Sequence, residues 1–282
     1  MISDDLVGCD FSSRPCRRKP IVMATGSAAK GRVLLAGLER IESLDGFEQW
    51  LRRDRAWIAA FDFPFGLPRE LVMQLGWPAH WPVLIRHYAA LSRPEIRAAF
   101  AAFCDARPAG HKFAHRAADN PAGSSPSMKW VNPPVAYMLH AGVPRLMAAG
   151  VHIACLNPGD SRRVALEGYP GLLAREVLGK RPYKSDDRAK QTADRLIARK
   201  DLITALEHGQ TRLGLRLKVS HAQRDALIDD ASGDSLDAVL CLMQAAWAAR
   251  QGAPRYGLPL EMDPLEGWIV TAQAIGSCEL TP

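Results

Sequence analysis

The chain opens with short apolar runs broken by turn residues. Leu6-Val7-Gly8-Cys9-Asp10-Phe11 is followed by apolar segments at 20–24 and 32–38, with Gly-rich links between them. Runs of this length, bounded by turn signals, predict three strands in an antiparallel meander. Ser43 precedes a stretch to about Arg53 that puts Phe47, Trp50 and Leu51 on one helical face, which predicts a capped amphipathic helix. Residues 57–63 are apolar almost throughout and predict a central strand covered on both faces. The next stretch changes character. Residues 68–75 and 81–91 read as short helices, and Ser92-Arg93-Pro94-Glu95 is a capping-box pattern opening a helix to about Cys104. A long segment rich in Pro, Gly, Ser and Ala runs from 107 to 131, before a helix at about 134–148. Sheet-like sequence resumes at 151–156 and 163–167, the latter ending at Gly168-Tyr169-Pro170-Gly171. Residues 187–208 predict a basic amphipathic helix and residues 220–230 a further one. Residues 234–250 predict a strong helix, in which Leu236, Val239, Leu240, Met243, Ala246 and Trp247 recur at a period near 3.6.

Composition narrows the class. With 282 residues, 48% hydrophobic and 23% charged, the chain fits one large globular domain and not a disordered or fibrous one. No run of about eighteen apolar residues exists to span a membrane. The opening MISDDLVGCD has acids where a secretion signal needs bases, so the cytoplasm is the expected location. Lys plus Arg number 36 against 30 Asp plus Glu, a formal net charge of +6, which suits an anionic partner without requiring one. The cysteines, Cys9, Cys16, Cys104, Cys155, Cys241 and Cys278, form no CxxC pair. They read as reduced, mostly buried thiols rather than zinc ligands.

The chemistry lies in the acids. Asp10 closes the first apolar run, Asp62 the fourth and Glu167 a late one, while Asp234 and Asp237 open the last long helix on one face. Taken singly, a strand-end Asp is a turn residue, Asp234 is a helix cap and Glu167 is a salt-bridge partner for a nearby Arg. Taken together they ask for a common cause, because a carboxylate at the end of a buried strand is costly unless paired or metal-bound. Divalent cations with oxygen ligands, Mg2+ or Mn2+, would explain all of them at once.

Four motifs carry a resemblance. Val7-Gly8-Cys9-Asp10-Phe11-Ser12-Ser13, Phe61-Asp62-Phe63-Pro64-Phe65-Gly66-Leu67-Pro68, Glu167-Gly168-Tyr169-Pro170 and Asp234-Ser235-Leu236-Asp237-Ala238 occur in this order, with Glu266-Gly267-Trp268-Ile269 near the end. Over residues from about 5 to 270 the chain resembles domain-of-unknown-function family 429, a group of predicted nucleases with a ribonuclease H-like fold. The order strand, strand, strand, helix, strand is also how that fold opens. The fold class expected is therefore α/β: a mixed five-stranded sheet flanked by helices, with a helical and loop insertion at about 67–148 after the fourth strand. The resemblance implies a two-metal nuclease site. In it Asp10 would bridge both ions, Asp62 would bind one, and Asp237 with Asp234 beside it would bind the other. Glu167 has no fixed counterpart, and both metal ligand and water-orienting base stay open for it.

Several groups could hold a nucleic-acid substrate. Ser12, Ser13 and Arg14 follow Asp10 directly and could meet phosphate oxygens, or form a plain turn with Pro15. Lys129 and Trp130, in Ser124–Pro134, could pair a cation with a stacking platform, or Trp130 could pack on the core. His111 and His115 are four apart in a segment too rich in Pro and Gly for a stable helix, and one of them or Lys112 could serve as a base or phosphate contact. Two other functions share the same features. Gly8–Ser13 could be the phosphate loop of an actin-like kinase or ATPase, although the chain shows no duplicated core. A non-catalytic module could keep the fold and bind an anionic partner.

Overall fold

The computed structural model describes residues 3–272. Strand β1 (Ser3–Asp10) pairs antiparallel with β2 (Ile21–Ala29), and β2 with β3 (Arg32–Ile41). Helix α1 (Leu44–Leu51) starts where the Ser43 hydroxyl accepts the Gly46 N–H, and returns the chain to β4 (Trp57–Phe61), parallel to β1. Five helices follow: α2 (Arg69–Gln74), α3 (Trp81–Ala90), α4 (Arg93–Asp105), α5 (Asp119–Ala122) and α6 (Val135–Ala148). Both halves of the expected capping box form at α4, between Ser92 and Glu95. The chain then runs through β5 (Val151–Ile153), β6 (Asp160–Glu167), α7 (Pro170–Leu178), α8 (Ala193–His208), β7 (Arg216–Lys218), α9 (His221–Asp229) and α10 (Asp234–Gln251).

The strands form one mixed sheet in the order β5-β6-β4-β1-β2-β3-β7. β1, β4, β6 and β5 run parallel, so their carboxyl ends share one edge of the molecule. Residue alternation assigns the two faces. Val7, Cys9, Ala59, Phe61 and Ala165 pack under α1 and the helices between β4 and β5, against Phe47, Trp50, Leu84 and Phe100. Leu6, Ile58, Ala60, Val164 and Leu166 face the opposite layer, built from α7, α8 and α10.

The α/β class holds, and three details differ from the sequence expectation. The sheet has seven strands among the described residues, not five, because β5 and β7 extend its two edges. Each is three residues long; β5 lies within the 151–156 stretch read as sheet-like, whereas β7 is too short to carry a periodic signal. The basic helix begins at Ala193 rather than 187, since residues 188–190 form a separate 3-10 turn capped by the Asp187 side chain. The sequence pattern assigns no element to 170–178, where α7 forms with Pro170 at its first position, a place where the missing N–H costs nothing. Of the cysteines, Cys9, Cys104 and Cys241 are buried, Cys155 is half-buried and Cys16 is exposed, with no disulfide among them; Cys278 lies outside the described residues. No helix among the described residues is long and apolar enough to cross a membrane.

Candidate metal centre

Three of the expected acids meet. Asp10, Asp62 and Asp237 each offer a carboxylate oxygen, and the three oxygens lie within 4.8 Å of one another. The pleat accounts for two of them. Asp10 follows Gly8 on the face of β1 turned toward α10, and Asp62 continues the same parity from Ile58 and Ala60. The Asp62 N–H donates to the Cys9 carbonyl (2.9 Å), which locks the strand ends side by side. Asp237 comes from the first turn of α10, where the helix N-terminus favours negative charge.

Close backbone approach brings the third acid in. A Cβ on Gly8 would stand 2.0 Å from the Ala238 carbonyl oxygen and 2.1 Å from the Leu242 nitrogen. β1 and α10 therefore touch backbone to backbone, one residue along from Asp237. Any side chain at position 8 would hold the helix, and its carboxylate, away from Asp10.

The electrostatics of the three acids differ. Burial, then the charge of Asp237, pushes the Asp10 carboxyl well above its ordinary range, with Lys184 opposing. Burial and Asp237 likewise push Asp62 up to about 7. Among the described residues no protein donor hydrogen-bonds the carboxylate of either one. Asp237 is the reverse case: the Tyr183 hydroxyl donates to its Oδ1 and the Lys184 ammonium to its Oδ2. Burial works against the Lys184 charge, but Asp237, Tyr183 and Asp10 outweigh it and hold the ammonium above its ordinary pKa. The buried Asp10 and the half-buried Asp62, both without a protein donor among the described residues, form with a third carboxylate a donor set that fits Mg2+ or Mn2+.

Asp234 stands apart from the three. Its Oδ1 accepts from Lys19 Nζ at 2.6 Å, the same ammonium reaches Asp186 at 2.9 Å, and its Oδ2 is buried with no hydrogen-bond partner. The N-cap position of α10 belongs to Gly233, not Asp234.

Glu167 is also kept out of the cluster, and the sheet register explains why. It pairs in parallel register with Phe61, so it projects to the face opposite Asp10 and Asp62. There it meets Arg116, whose Nη1 and Nη2 donate to its two oxygens at 2.8 and 2.7 Å, and the Phe65 N–H adds a third bond at 2.8 Å. Burial raises its pKa, and Arg116 opposes the rise. Of the roles left open for Glu167, the salt bridge to an Arg is the one formed. A cavity of about 80 Å3, lined by Asp62, Arg116, Ser124, Ser125, Glu167 and Tyr169, lies beside this pair and Asp62, with room for a few waters.

The expected substrate contacts divide by location. Ser12, Ser13 and Arg14 form the turn leaving Asp10: the Arg14 N–H donates to the Ser12 hydroxyl (3.3 Å), and Arg93 holds the Ser13 carbonyl (2.8 Å). Arg14 is exposed there. Lys112 and Lys129 share an open pocket with His115 whose lining contains none of the acids, and Lys112 lies 3.7 Å from Asp105. Trp130 packs against Phe100 and Phe113, with ring centroids 6.4 and 5.6 Å apart, which is the packing alternative. His111 and His115 join no metal-ligand grouping among the described residues. Sequence reasoning missed Tyr183, Lys184 and Lys19. Tyr183 and Lys184 carried only proximity in sequence to Asp186 and Asp187, and Lys19 carried no signal beyond its place in a basic stretch.

The site predicts an unusual pH dependence. A carboxyl whose pKa is about 7 in the folded chain and 3.8 as a free group binds a proton more tightly when folded. Its contribution to stability is therefore full below pH 4 and is lost as pH rises to 7. Other acids with depressed pKa values, such as Asp230 and Asp263, work in the opposite direction, so the difference between variants isolates the effect. In EDTA, Asp62→Asn is expected to melt progressively higher relative to wild type as pH goes from 4 to 7. Melting curves that stay parallel across that range would remove the buried-acid account.

No family model, curated protein or solved structure matches the chain.

Proposed function

We propose that the chain is a divalent-metal-dependent nuclease that hydrolyses phosphodiester bonds of DNA or RNA, built on a ribonuclease H-like core and related to domain-of-unknown-function family 429. The observation that carries this reading is the meeting of Asp10, Asp62 and Asp237 from the first strand, the fourth strand and the last helix within 4.8 Å. The sheet order β3-β2-β1-β4-β6, with an antiparallel meander followed by parallel strands, supports the same core. A single sheet without a repeat among the described residues gives no support to an actin-like kinase.

The reaction adds the oxygen of a water to phosphorus and breaks one phosphorus–oxygen ester bond; the water's proton ends on the departing alcohol. A bound divalent ion would polarise the phosphoryl oxygens and ease deprotonation of the water. The chain's own part is to hold Asp10 and Asp62 ready without competing donors, and to offer the exposed Arg14 guanidinium, four residues from Asp10, as a phosphate contact. Glu167 and Arg116 fix the helical insertion over the carboxyl ends of the strands. The mild excess of basic residues suits a polyanionic substrate.

The test is cleavage of single-stranded DNA, duplex DNA and RNA by purified protein in Mn2+, Mg2+ or EDTA, with Asp10→Asn alongside. Cleavage is expected only with a divalent ion. Asp10→Asn is expected to abolish it and to weaken Mn2+ binding at least about tenfold. A wild-type protein that binds no divalent ion, or cleavage unchanged in Asp10→Asn, would overturn the assignment.

A further inference from the structure

The segment that delivers Lys184 to Asp237 is built rather than incidental. The Tyr183 carbonyl accepts from Nη1 of the buried Arg199 (2.8 Å), and the Ser185 N–H donates to the Ala231 carbonyl (3.1 Å). Between these anchors Lys184 lies along Gly233, where a Cβ would stand 2.6 Å from the lysine Cβ. Gly233 also has φ +77°, so a side chain there would be strained as well as crowded. These anchors hold the Lys184 backbone beside α10, and its side chain, 40% exposed, reaches the carboxylate of Asp237 from there.

Charge limits what else can enter. With an ion in place of their protons, the three carboxylates carry three negative charges and the ammonium returns one. The two remaining match one divalent ion. A second ion would leave a site with more positive than negative charge, because the nearby Asp234 is already paired with Lys19. Occupancy points the same way. Both oxygens of Asp237 are engaged by Tyr183 and Lys184, whereas Asp10, 7% exposed, and Asp62 accept nothing from the protein among the described residues.

We infer that Lys184 is the second cation of this site: the chain takes one divalent ion, held by Asp10 and Asp62, and the ammonium stands beside Asp237 where a two-metal enzyme would hold its other ion. The inference rests on the metal-dependent reading above and revises its stoichiometry. It makes Lys184 a permanent positive group next to the reacting phosphate, one that cannot be removed by chelation.

Counting bound ions separates the two readings. Mn2+ titration of the full chain, with free Mn2+ followed by electron paramagnetic resonance, is expected to give one ion per chain. Two ions per chain would overturn the role of Lys184 and leave the metal-dependent reading standing; none would overturn both. Lys184→Met is expected to admit a second Mn2+, or to tighten the first by at least about tenfold, since the competing charge on Asp237 is gone. One ion bound with unchanged or weaker affinity in that variant would sink the inference. Tyr183→Phe keeps the ammonium, so its count is expected to stay at one; two ions there would overturn the assignment to lysine.

Discussion

Gly8→Ala is expected to leave little soluble protein, or protein that melts far below wild type. The added methyl has nowhere to go. Position 8 lies on the central strand, paired with Ala24 on one side and Ala60 on the other, and the new carbon would stand 2.0–2.1 Å from backbone atoms of α10. Backbone cannot swing aside as a flexible side chain would. The helix must retreat by more than an ångström along a face whose core is fully buried, or the strand must twist out of register. Either course belongs to the overpacking class, and a loss beyond about 4 kcal/mol is expected. Gly37→Ala is the control. It lies in β3 with nothing nearer to a new Cβ than the Thr25 hydroxyl at 3.9 Å, so its effect should stay within about 1 kcal/mol. Thermal melting of both variants checks this, and equal melting temperatures would contradict the close approach of β1 and α10. Any folded Gly8→Ala protein should also bind Mn2+ more weakly, because the same displacement carries Asp237 away from Asp10.

The second large effect belongs to Arg116. Its guanidinium is enclosed, and its donors reach Asp119 Oδ1 from both Nε and Nη2, the two oxygens of Glu167, and the Glu266 carbonyl at 3.0 Å. Burial alone would lower its pKa, but Glu167 and Asp119 more than reverse that and fix the charge. Arg116→Ala strands two carboxylates, 3% and 0% exposed, without their cation. Breaking a buried pair from one side costs about 3–5 kcal/mol, and chemical denaturation should show a loss of that size. Arg116→Lys should rescue little, since an ammonium cannot span the same acceptors. Arg116→Met with Glu167→Gln should recover part of the loss by removing one stranded charge. A loss below about 1 kcal/mol for Arg116→Ala would mean that the acids are better solvated than the packing allows. The pair also joins the insertion to the end of β6, so the damage should extend to the loop around Ser124 and Ser125 that lines the small cavity beside Asp62.

How much of this could be read beforehand follows from the range of each interaction. The meander, the central apolar strand, the capped helices and the long final helix are local patterns of two or 3.6 residues, and they appear where expected. Asp10 and Asp62 were legible because each ends an apolar run that must be buried, and Asp237 because it opens a helix with an apolar face. Glu167 has the same local signature. It parts company with the other acids only through its register against Phe61, since a shift of one residue turns a side chain to the other face of a sheet.

By itself, then, the sequence determined which segments become strands and helices, and which acids stand at their ends. The tertiary structure decided which of those acids meet. It did so through strand parity, which sends Glu167 to Arg116, through the bare backbone of Gly8, which admits α10 and its Asp237, and through the distant anchors that bring Lys184 and Lys19 to carboxylates more than 50 residues away. Charges so far apart in the chain carry no local pattern, because what pairs them is the free energy of burying an ion, which exists only once the layers have closed.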